Sequence, residues 1–541
     1  MFVQDTTSRR GQKVYRSYLV RESFRTAKGP RSRTVCNITA LAAEVRAVIA
    51  QALRGRTLVP VDELALSGAF DYGGLAVLVD AWERYGLDAV LGQVGTPRQR
   101  ALLKAMVLGR LLFPSSKLAL SEQAEGTLLA RACGLKPAEV FNEDDLYAAM
   151  DALNGAWVGL EKALFARAFP HAVRLVLYDL TSVYFEGKGP FGLGRYGHSR
   201  DHRQDRPQVI LAVATDAEGV PIHIEVLRGN RGDNTTLQGL LATLRRRFGI
   251  REATFVFDGG MSSRLNLEAM TRDALIFVTR LSSATLRALM EASGTQLQME
   301  LGDANRVLEI EHDGKRHVIA GGVWRRQRDQ ARRAARLAKG EAVLTKLAQA
   351  RRKKPDAQKL ASQAGRALER VKAHKYFTYR VDTAGKLIWA RKTEVIDEDA
   401  ALDGWYLLHT NATPLQASAE ETLRRYKGLL EVEDAFREVK SYLEVRPVFH
   451  YRPDRVRNHI RLCFLAYWLS ARLGQEWGRL QERGEVPRLL RRLQTIRVGV
   501  LTLRGATLRT ALTHIPKPLN ALLAKLGLLH LFASPPAWAR L

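Results

Sequence analysis

The chain has 541 residues, enough for two to four domains, and 46% of them are hydrophobic, as in ordinary globular proteins. It carries 84 Lys and Arg against 56 Asp and Glu, a formal net charge of +28, which favours a polyanionic partner, and nucleic acid before a membrane surface. No apolar run reaches the roughly 18 residues of a transmembrane helix. The three cysteines lie too far apart for a disulfide framework or a zinc cluster, so we predict a cytoplasmic protein without a membrane partner.

Residues 1–170 are predicted to form a basic, mostly helical region. A short β-like start, KVYRSYLVRESFR, precedes segments such as DYGGLAVLVDAWERYGLDAVL and RALLKAMVLGRLLF. In these segments the apolar residues recur three and four positions apart, which is typical of amphipathic helices.

From residue 171 the pattern changes to short β-rich runs. VRLVLYDL, QVILAVAT and PIHIEVL precede a helix, and EATFVFD and LIFVTRL follow it with a second helix between them. The order of elements is three strands, a helix, a strand, a second helix and a last strand. This order predicts an α/β layer over 171–285 in which the first strands pair antiparallel and the last strands pair parallel.

Residues 286–400 are predicted to form a β-rich insertion. RVLEIEH, HVIAGGVW, YFTYRV and KLIWARK flank a stretch at 325–375 with 17 Lys and Arg against 4 Asp and Glu, a net of +13. This stretch is predicted to be a helix or helical hairpin broken near KKPD; it could be only a solvated helix, but its charge favours contact with a nucleic-acid backbone. The α/β pattern resumes over 401–475 with GWYLLHT and a long helix at about 417–443, and a helical region is predicted for 476–541.

Two acidic residues interrupt or end predicted strands. Asp179 lies inside the apolar run LVLYDLTSVYF, where an unpaired carboxylate is costly to bury, so it either caps a turn or forms part of a metal site. Asp258 ends the strand in FVFDGGMSS, and the carboxyl ends of strands are where open α/β sheets place their chemistry. A simple strand-to-helix turn remains the alternative for Asp258.

A third acidic residue, Glu433, lies in ETLRRYKGLLEVEDAFREVKSYLE. On a helix it falls on one apolar stripe with Tyr426, Leu429, Leu430, Phe436 and Lys440. A boundary glutamate that reaches water or pairs with Lys440 is the alternative. Three carboxylates without His or Cys suit Mg²⁺ or Mn²⁺, and two such ions about 4 Å apart stabilise phosphoryl transfer.

In three blocks the chain resembles the DDE transposases of bacterial insertion sequences, which have an RNase H-like catalytic core. DLTSVYFEG with GHSRDHRQDRPQVILAVATDAEGVPI and LRGNRGDNTT resembles the first block, FVFDGGMSSRLN the second and YKGLLEVEDAFREVK the third. The long interval between Asp258 and Glu433, with its excess at 286–400, resembles the β-rich insertion of the branch named for insertion sequence four. Leu429 and Gly259 depart from the pattern, because the family often has Arg at both positions.

The resemblance implies that Asp179, Asp258 and Glu433 are catalytic and hold two Mg²⁺ or Mn²⁺ ions. It implies cleavage at the ends of the element, followed by joining of the 3′-hydroxyl to target DNA, with Tyr426, Lys440 and Arg437 contacting DNA. Residues 1–170 would recognise the element ends, and the protein would act as a homodimer on double-stranded DNA, associated with a bacterial nucleoid. An RNase H-like nuclease without strand transfer and a catalytically inactive DNA-binding relic are the two alternatives.

Overall fold

The computed structural model describes residues 1–136, 141–293, 306–349, 356–480 and 486–540. The chain starts with an antiparallel sheet of three strands followed by a helix: β1 (Phe2–Arg10), β2 (Lys13–Thr26), β3 (Gly29–Asn37) and α1 (Ala43–Leu53). Tight turns at Gly11 and Gly29, both with positive φ, connect the strands. The β structure therefore occupies most of the first 37 residues of a region predicted to be mostly helical.

The rest of this region is helical after one strand. Its elements are β4 (Leu64–Asp71), α2 (Gly73–Arg84), α3 (Leu87–Leu91), α4 (Pro97–Leu112), α5 (Lys117–Glu125), α6 (Leu129–Ala132), α7 (Glu143–Asp151) and α8 (Trp157–Ala168). Thr96 and Gln99 form a capping box at the start of α4, and Asn142 and Asp145 form one at the start of α7.

The α/β layer has the predicted order of elements: β5 (Leu175–Tyr184), β6 (Gln208–Thr215), β7 (Pro221–Arg228), α9 (Leu237–Phe248), β8 (Thr254–Phe257), α10 (Arg264–Arg272), β9 (Ile276–Arg280) and α11 (Ser283–Ser293). β5, β6 and β7 pair antiparallel, whereas β8 is parallel to both β5 and β9. The spatial order β9-β8-β5-β6-β7 gives a mixed sheet that is consistent with an RNase H-like transposase fold.

The next segment of the chain, from β10 to α14, is mostly helical. The elements are β10 (Arg306–His312), β11 (Lys315–Gly321), α12 (Val323–Gln349), α13 (Ala357–Arg370), β12 (Phe377–Val381), β13 (Leu387–Arg391) and α14 (Thr393–Ala401). The predicted basic helical hairpin corresponds to α12 and α13. Most of the predicted break near KKPD lies outside the described residues, but Asp356 caps α13. α12, α13, β12 and β13 share a small hydrophobic core of their own.

A further strand, β14 (Trp405–Thr410), returns to the main sheet and lies between β11 and β9, antiparallel to both. The sheet therefore has eight strands, in the order β10-β11-β14-β9-β8-β5-β6-β7. The sequence assigns β10 and β11 to an insertion over 286–400, but both strands belong to the core sheet. The rest of the predicted β-rich insertion contains more helix than strand.

The single helix predicted at about 417–443 is two helices, α15 (Ala419–Lys427) and α16 (Leu429–Arg437), followed by a π-helical turn over Glu438–Tyr442. The remaining elements are α17 (Pro453–Arg479), α18 (Val486–Leu493), β15 (Arg497–Leu503), β16 (Ala506–Leu512), α19 (Lys517–Lys525) and α20 (His530–Ala533). The prediction of a purely helical region over 476–541 is wrong, because β15 pairs with β16 and with β4.

Two hydrophobic layers enclose the core sheet. One face packs against α9 and α10, and the other packs against α16 and α17. The second layer is continuous with the core of α2–α8, so the N-terminal helices, the covering helices and the C-terminal segment share one cluster of buried residues.

Candidate active site

Asp179 and Asp258 lie side by side because β5 and β8 are parallel neighbours. Tyr178 is paired with Phe257, so the next residue along each strand is an aspartate. Adjacent strands are about 4.8 Å apart, which brings the two backbone positions to about that separation. Leu177 and Val183 face the α16 side of the sheet, and Asp179 shares their alternation, so its side chain points to that side.

Glu433 approaches from α16, which packs across this face of β5. The stripe drawn from the sequence is wrong in part: the buried positions of α16 and the following turn are Val432, Ala435, Phe436 and Val439, and Glu433 is exposed beside them. The break at Gly428 explains the error. A Cβ there would lie 3.0 Å from the carbonyl oxygen of Arg425, a tight contact, and 3.4 Å from Leu177, an ordinary van der Waals contact, so glycine relieves crowding at the junction of α15 and α16.

The three carboxylates line one pocket of about 470 Å³. Among the described residues, the one hydrogen bond to the Asp179 carboxylate comes from the neighbouring Leu180 N–H, at 2.7 Å. Neither Asp258 nor Glu433 takes part in a side-chain hydrogen bond or ion pair with any described residue. The three carboxylates thus line one pocket without forming an ion pair with any described residue.

The pKa shifts reflect mutual repulsion as well as burial. Burial raises the pKa of Asp179 to about 7; the Leu180 N–H and Arg200 oppose the shift, and Asp258 and Glu433 add to it. Burial also raises the pKa of Glu433, and Asp258 and Asp434 add to that effect. The charge of Asp258 therefore raises the pKa of both of the other carboxyls.

The opposite wall of the pocket is basic. Arg280 at the end of β9 and Arg325 and Arg328 at the start of α12 line it. The guanidinium of Arg325 stacks on the ring of Tyr406, 4.5 Å from the ring centroid, and the indole of Trp324 at the rim is 71% exposed. Burial, then the charge of Arg280, lowers the pKa of Arg325. These residues give the carboxylate pocket a cationic surface.

The sequence did not identify Arg280 and Trp324. Arg325 and Arg328 belong to the basic stretch that the sequence associated with nucleic acid, although not with the pocket. Arg280 lies at the end of a strand next to β8, which is the one local signal that could have identified it, because such strand ends share an edge with Asp258.

Gly259 departs from the family pattern for a steric reason. A Cβ at this position would lie 2.5 Å from the carbonyl oxygen of Arg280, so no larger residue fits without moving one of the two strands. Arg280 itself supplies a guanidinium to the same pocket.

A second pocket of about 440 Å³ adjoins the first and shares all three carboxylates. Arg200 and Asp233 also line it and form an ion pair at 2.6 Å. Asp233 is therefore a fourth acidic residue near the site, but it is already paired with a cation.

The residues expected to contact DNA have different surroundings. Tyr426 lines the carboxylate pocket, and burial raises its pKa, with Asp258 adding to the effect. Lys440 is nearly buried and donates to the carboxylate of Asp201 at 2.8 Å. Arg437 pairs with Asp434 at 2.5 Å and lines a separate cavity behind α16. Of the three, only Tyr426 lines the carboxylate pocket.

The donor chemistry fits a hard divalent cation. Carboxylate oxygens are the ligands that Mg²⁺ and Mn²⁺ prefer, and no described His or Cys lines either pocket. In the parts of the chain that the structure describes, no three acidic, His or Cys side chains are gathered closely enough to enclose a single ion. The exposed Asp258 and Glu433 side chains would have to turn inward to do so.

Comparisons with known proteins identify the family. A family model described as the transposase DDE domain matches residues 172–469, more than half of the chain, and this range contains Asp179, Asp258 and Glu433. The chain therefore belongs to the transposase DDE domain family, whose members cut and join DNA and generally use divalent metal ions.

The individual matches are more distant. No curated protein matches the chain. Among solved structures, the chain is similar to the piggyBac transposase in a cryo-EM synaptic complex with hairpin DNA, at 10% identity and a TM-score of 0.38, over 79% of this chain and 77% of that one.

Among the helices of the described residues, none combines the length and apolar character needed to cross a lipid bilayer.

Proposed function

We propose that the chain is the transposase of a bacterial insertion sequence, of the branch named for insertion sequence four, and that Asp179, Asp258 and Glu433 are its catalytic residues. One observation carries the proposal: three carboxylates that form no ion pair with any described residue line a single pocket in a strongly basic chain. Burying the Asp179 carboxylate is costly unless a cation balances it, and the raised pKa of Asp179 reflects that cost.

The three carboxylates would hold two Mg²⁺ or Mn²⁺ ions. When bound, such a pair supplies Lewis-acid stabilisation of the attacking and leaving oxygens in phosphoryl transfer. The chain itself supplies the carboxylate oxygens. Asp179 lies on β5, Asp258 directly follows the neighbouring strand β8, and Glu433 lies on α16. Since Asp179 has a pKa of about 7, it must release a proton before it can act as a ligand near neutral pH.

The arginine wall positions the DNA. Arg280, Arg325 and Arg328 face the carboxylates across the pocket, where they bind the phosphates that flank the scissile one. Tyr426 contacts the strand from the same pocket. Lys440 and Arg437 contact DNA only after they exchange their present partners, Asp201 and Asp434, for phosphate.

The reaction has two stages at this one site. Water first attacks the phosphodiester at the end of the element, and the P–O bond to the 3′ oxygen breaks, which leaves a 3′-hydroxyl. That hydroxyl then loses its proton and attacks a phosphodiester of the target DNA, so that a new P–O bond forms while the P–O bond to the target's own 3′ oxygen breaks. The protein acts as a homodimer on paired element ends and is associated with the nucleoid in the cytoplasm.

Replacing one carboxylate tests the assignment. Glu433→Gln keeps the size of the side chain and removes its charge, so cleavage of duplex DNA carrying the sequences that flank the reading frame should be lost in Mg²⁺ while DNA affinity is retained. Glu431→Gln is the matched control, because Glu431 lies on the same helix but lines the separate cavity behind it. Cleavage by Glu433→Gln at the wild-type rate would refute the assignment.

A strand-transfer assay distinguishes the transposase from a nuclease with the same core. A duplex with an exposed 3′-hydroxyl at the element end is mixed with circular DNA. A transposase joins the two and gives a longer strand. Cleavage of the uncut duplex without joining of the pre-cut one would identify a nuclease.

A further inference from the structure

The N-terminal sheet β1–β3 is a separate basic unit. Residues 1–37 contain nine Lys and Arg against two Asp and Glu, a net of +7. Its strands belong to none of the four hydrophobic clusters. Within the described residues, no hydrogen bond or ion pair joins these strands to any residue beyond Arg46. An exposed segment, 54–58, connects the unit to the remainder of the chain.

One face of this sheet is covered. α1 packs there, with the Arg46 guanidinium 3.9 Å from the centroid of the Tyr18 ring and with Val20 buried next to it. Strand alternation and register place both acidic residues on the same face: Asp5 is opposite Tyr18, and Glu22 forms an ion pair with Arg33 at 2.6 Å. The negative charge of the unit is therefore confined to the covered face.

The other face is open and free of acidic residues at every described position. It carries Lys13, Tyr15, Arg21 and Arg25 from β2, with serine, threonine, glutamine and asparagine side chains and the apolar Leu19 and Phe2 around them. Lys13, Tyr15 and Arg25 are exposed. The Arg21 guanidinium donates to the side chain of Gln4 at 2.7 Å, which confirms that these two residues share the face.

We propose that this open face binds duplex DNA, an inference that rests on the proposed function. Lys13 and Arg25 are twelve strand positions apart, about 40 Å, a little more than the 34–36 Å of one turn of B-DNA. Three strands about 4.8 Å apart span about 10 Å, comparable with the major groove, which is about 12 Å wide. The basic ends of β2 contact phosphates, and the hydroxyl and amide side chains between them lie over the groove. Recognition by this unit thus uses a sheet, not the helices that the sequence predicted.

Two neighbouring residues on β1 provide a matched test. Ser8 is on the open face opposite Tyr15, and Thr7 is on the covered face opposite Arg16; both are exposed. In the full-length protein, Ser8→Glu puts a negative charge against the DNA phosphates and should weaken binding about tenfold, whereas Thr7→Glu should change it less than about twofold. The probe is a mixed-sequence duplex of about four helical turns, with binding followed by fluorescence anisotropy.

The salt dependence gives a second readout with its own control. Replacing Lys13 and Arg25 together by Gln should lower the slope of log K against log salt by about 1.8, since each phosphate contact contributes about 0.9. The same double replacement of Arg16 and Arg31, exposed on the covered face, should leave the slope unchanged.

Equal effects of the two double variants, or equal effects of Ser8→Glu and Thr7→Glu, would overturn the proposal. A change of sedimentation coefficient in Ser8→Glu without a change in DNA affinity would also overturn it, since the face would then serve self-association. Binding is measured without divalent ions, so it is independent of catalysis: if wild-type protein fails to cleave DNA in Mg²⁺, the proposed function fails, while the comparison of the two faces still decides this inference.

Discussion

Metal affinity should depend on pH because of Asp179. The metal-free protein holds this carboxyl protonated below a pKa of about 7, and a cation binds only the ionised form. One pH unit below that pKa, about a tenth of the molecules have Asp179 ionised, so the apparent Kd should be about tenfold larger, a loss of about 1.4 kcal/mol. Above pH 7 the affinity should level off. The raised pKa of Glu433 acts in the same direction.

Titration calorimetry with Mn²⁺ at about pH 6 and about pH 8, in two buffers of different ionisation enthalpy, measures both the affinity and the protons released. We expect about one proton released at the lower pH and almost none at the higher. Asp216→Asn is the control: burial raises the pKa of Asp216 to about 6, but its carboxylate accepts from the backbone of Glu218 and Val220, outside the two carboxylate pockets. Equal wild-type affinity at both pH values, without proton release, would refute the reasoning.

Two further predictions concern residues around the site. Gly259→Ala should lower DNA cleavage at least about tenfold, because its Cβ would meet the Arg280 carbonyl at 2.5 Å and displace Asp258, whereas Gly239→Ala, which has open space, should cleave normally; equal cleavage by both in the DNA assay would contradict the steric argument. Lys440→Met should lower the melting temperature, at a cost of about 1–3 kcal/mol, because it removes one of the two cations that pair with the buried Asp201 and leaves Arg446 as the other; an unchanged melting temperature with weaker DNA binding would instead indicate a direct phosphate contact.

The core of the fold could be predicted because its signals are local. Each strand of β5–β9 is a short β-rich run with a turn or helix after it, and Asp179 and Asp258 stand out against apolar neighbours. The parallel pairing of β5 with β8 then follows from the intervening helix, and it places the two aspartates together.

The remaining features depend on contacts between distant parts of the chain. β15 pairs with β4, which lies more than 400 positions earlier in the chain. β11 pairs with β14, and α12 and α13 lie between these two strands in the sequence. The residues in these strands show no local preference that identifies the partner, so the C-terminal region was predicted as helix and β10 and β11 as an insertion.

The residues of the carboxylate pocket likewise differ in whether the sequence could identify them. The carboxylates could be identified from residue type and from the resemblance in the third block. The arginine wall could not, since Arg280 and Arg325 belong to segments about 45 positions apart that meet only in the folded sheet. Lys440 matched the family spacing, yet its ion pair with Asp201 depends on a loop more than 200 positions earlier.

Anomalous scattering from crystals grown with Mn²⁺ tests the central claim most directly. Mn²⁺ peaks within coordination distance of Asp179, Asp258 and Glu433 are the expected result, with loss of the peaks in Asp258→Asn crystals. Peaks at other acidic residues, with none among these three, would contradict it.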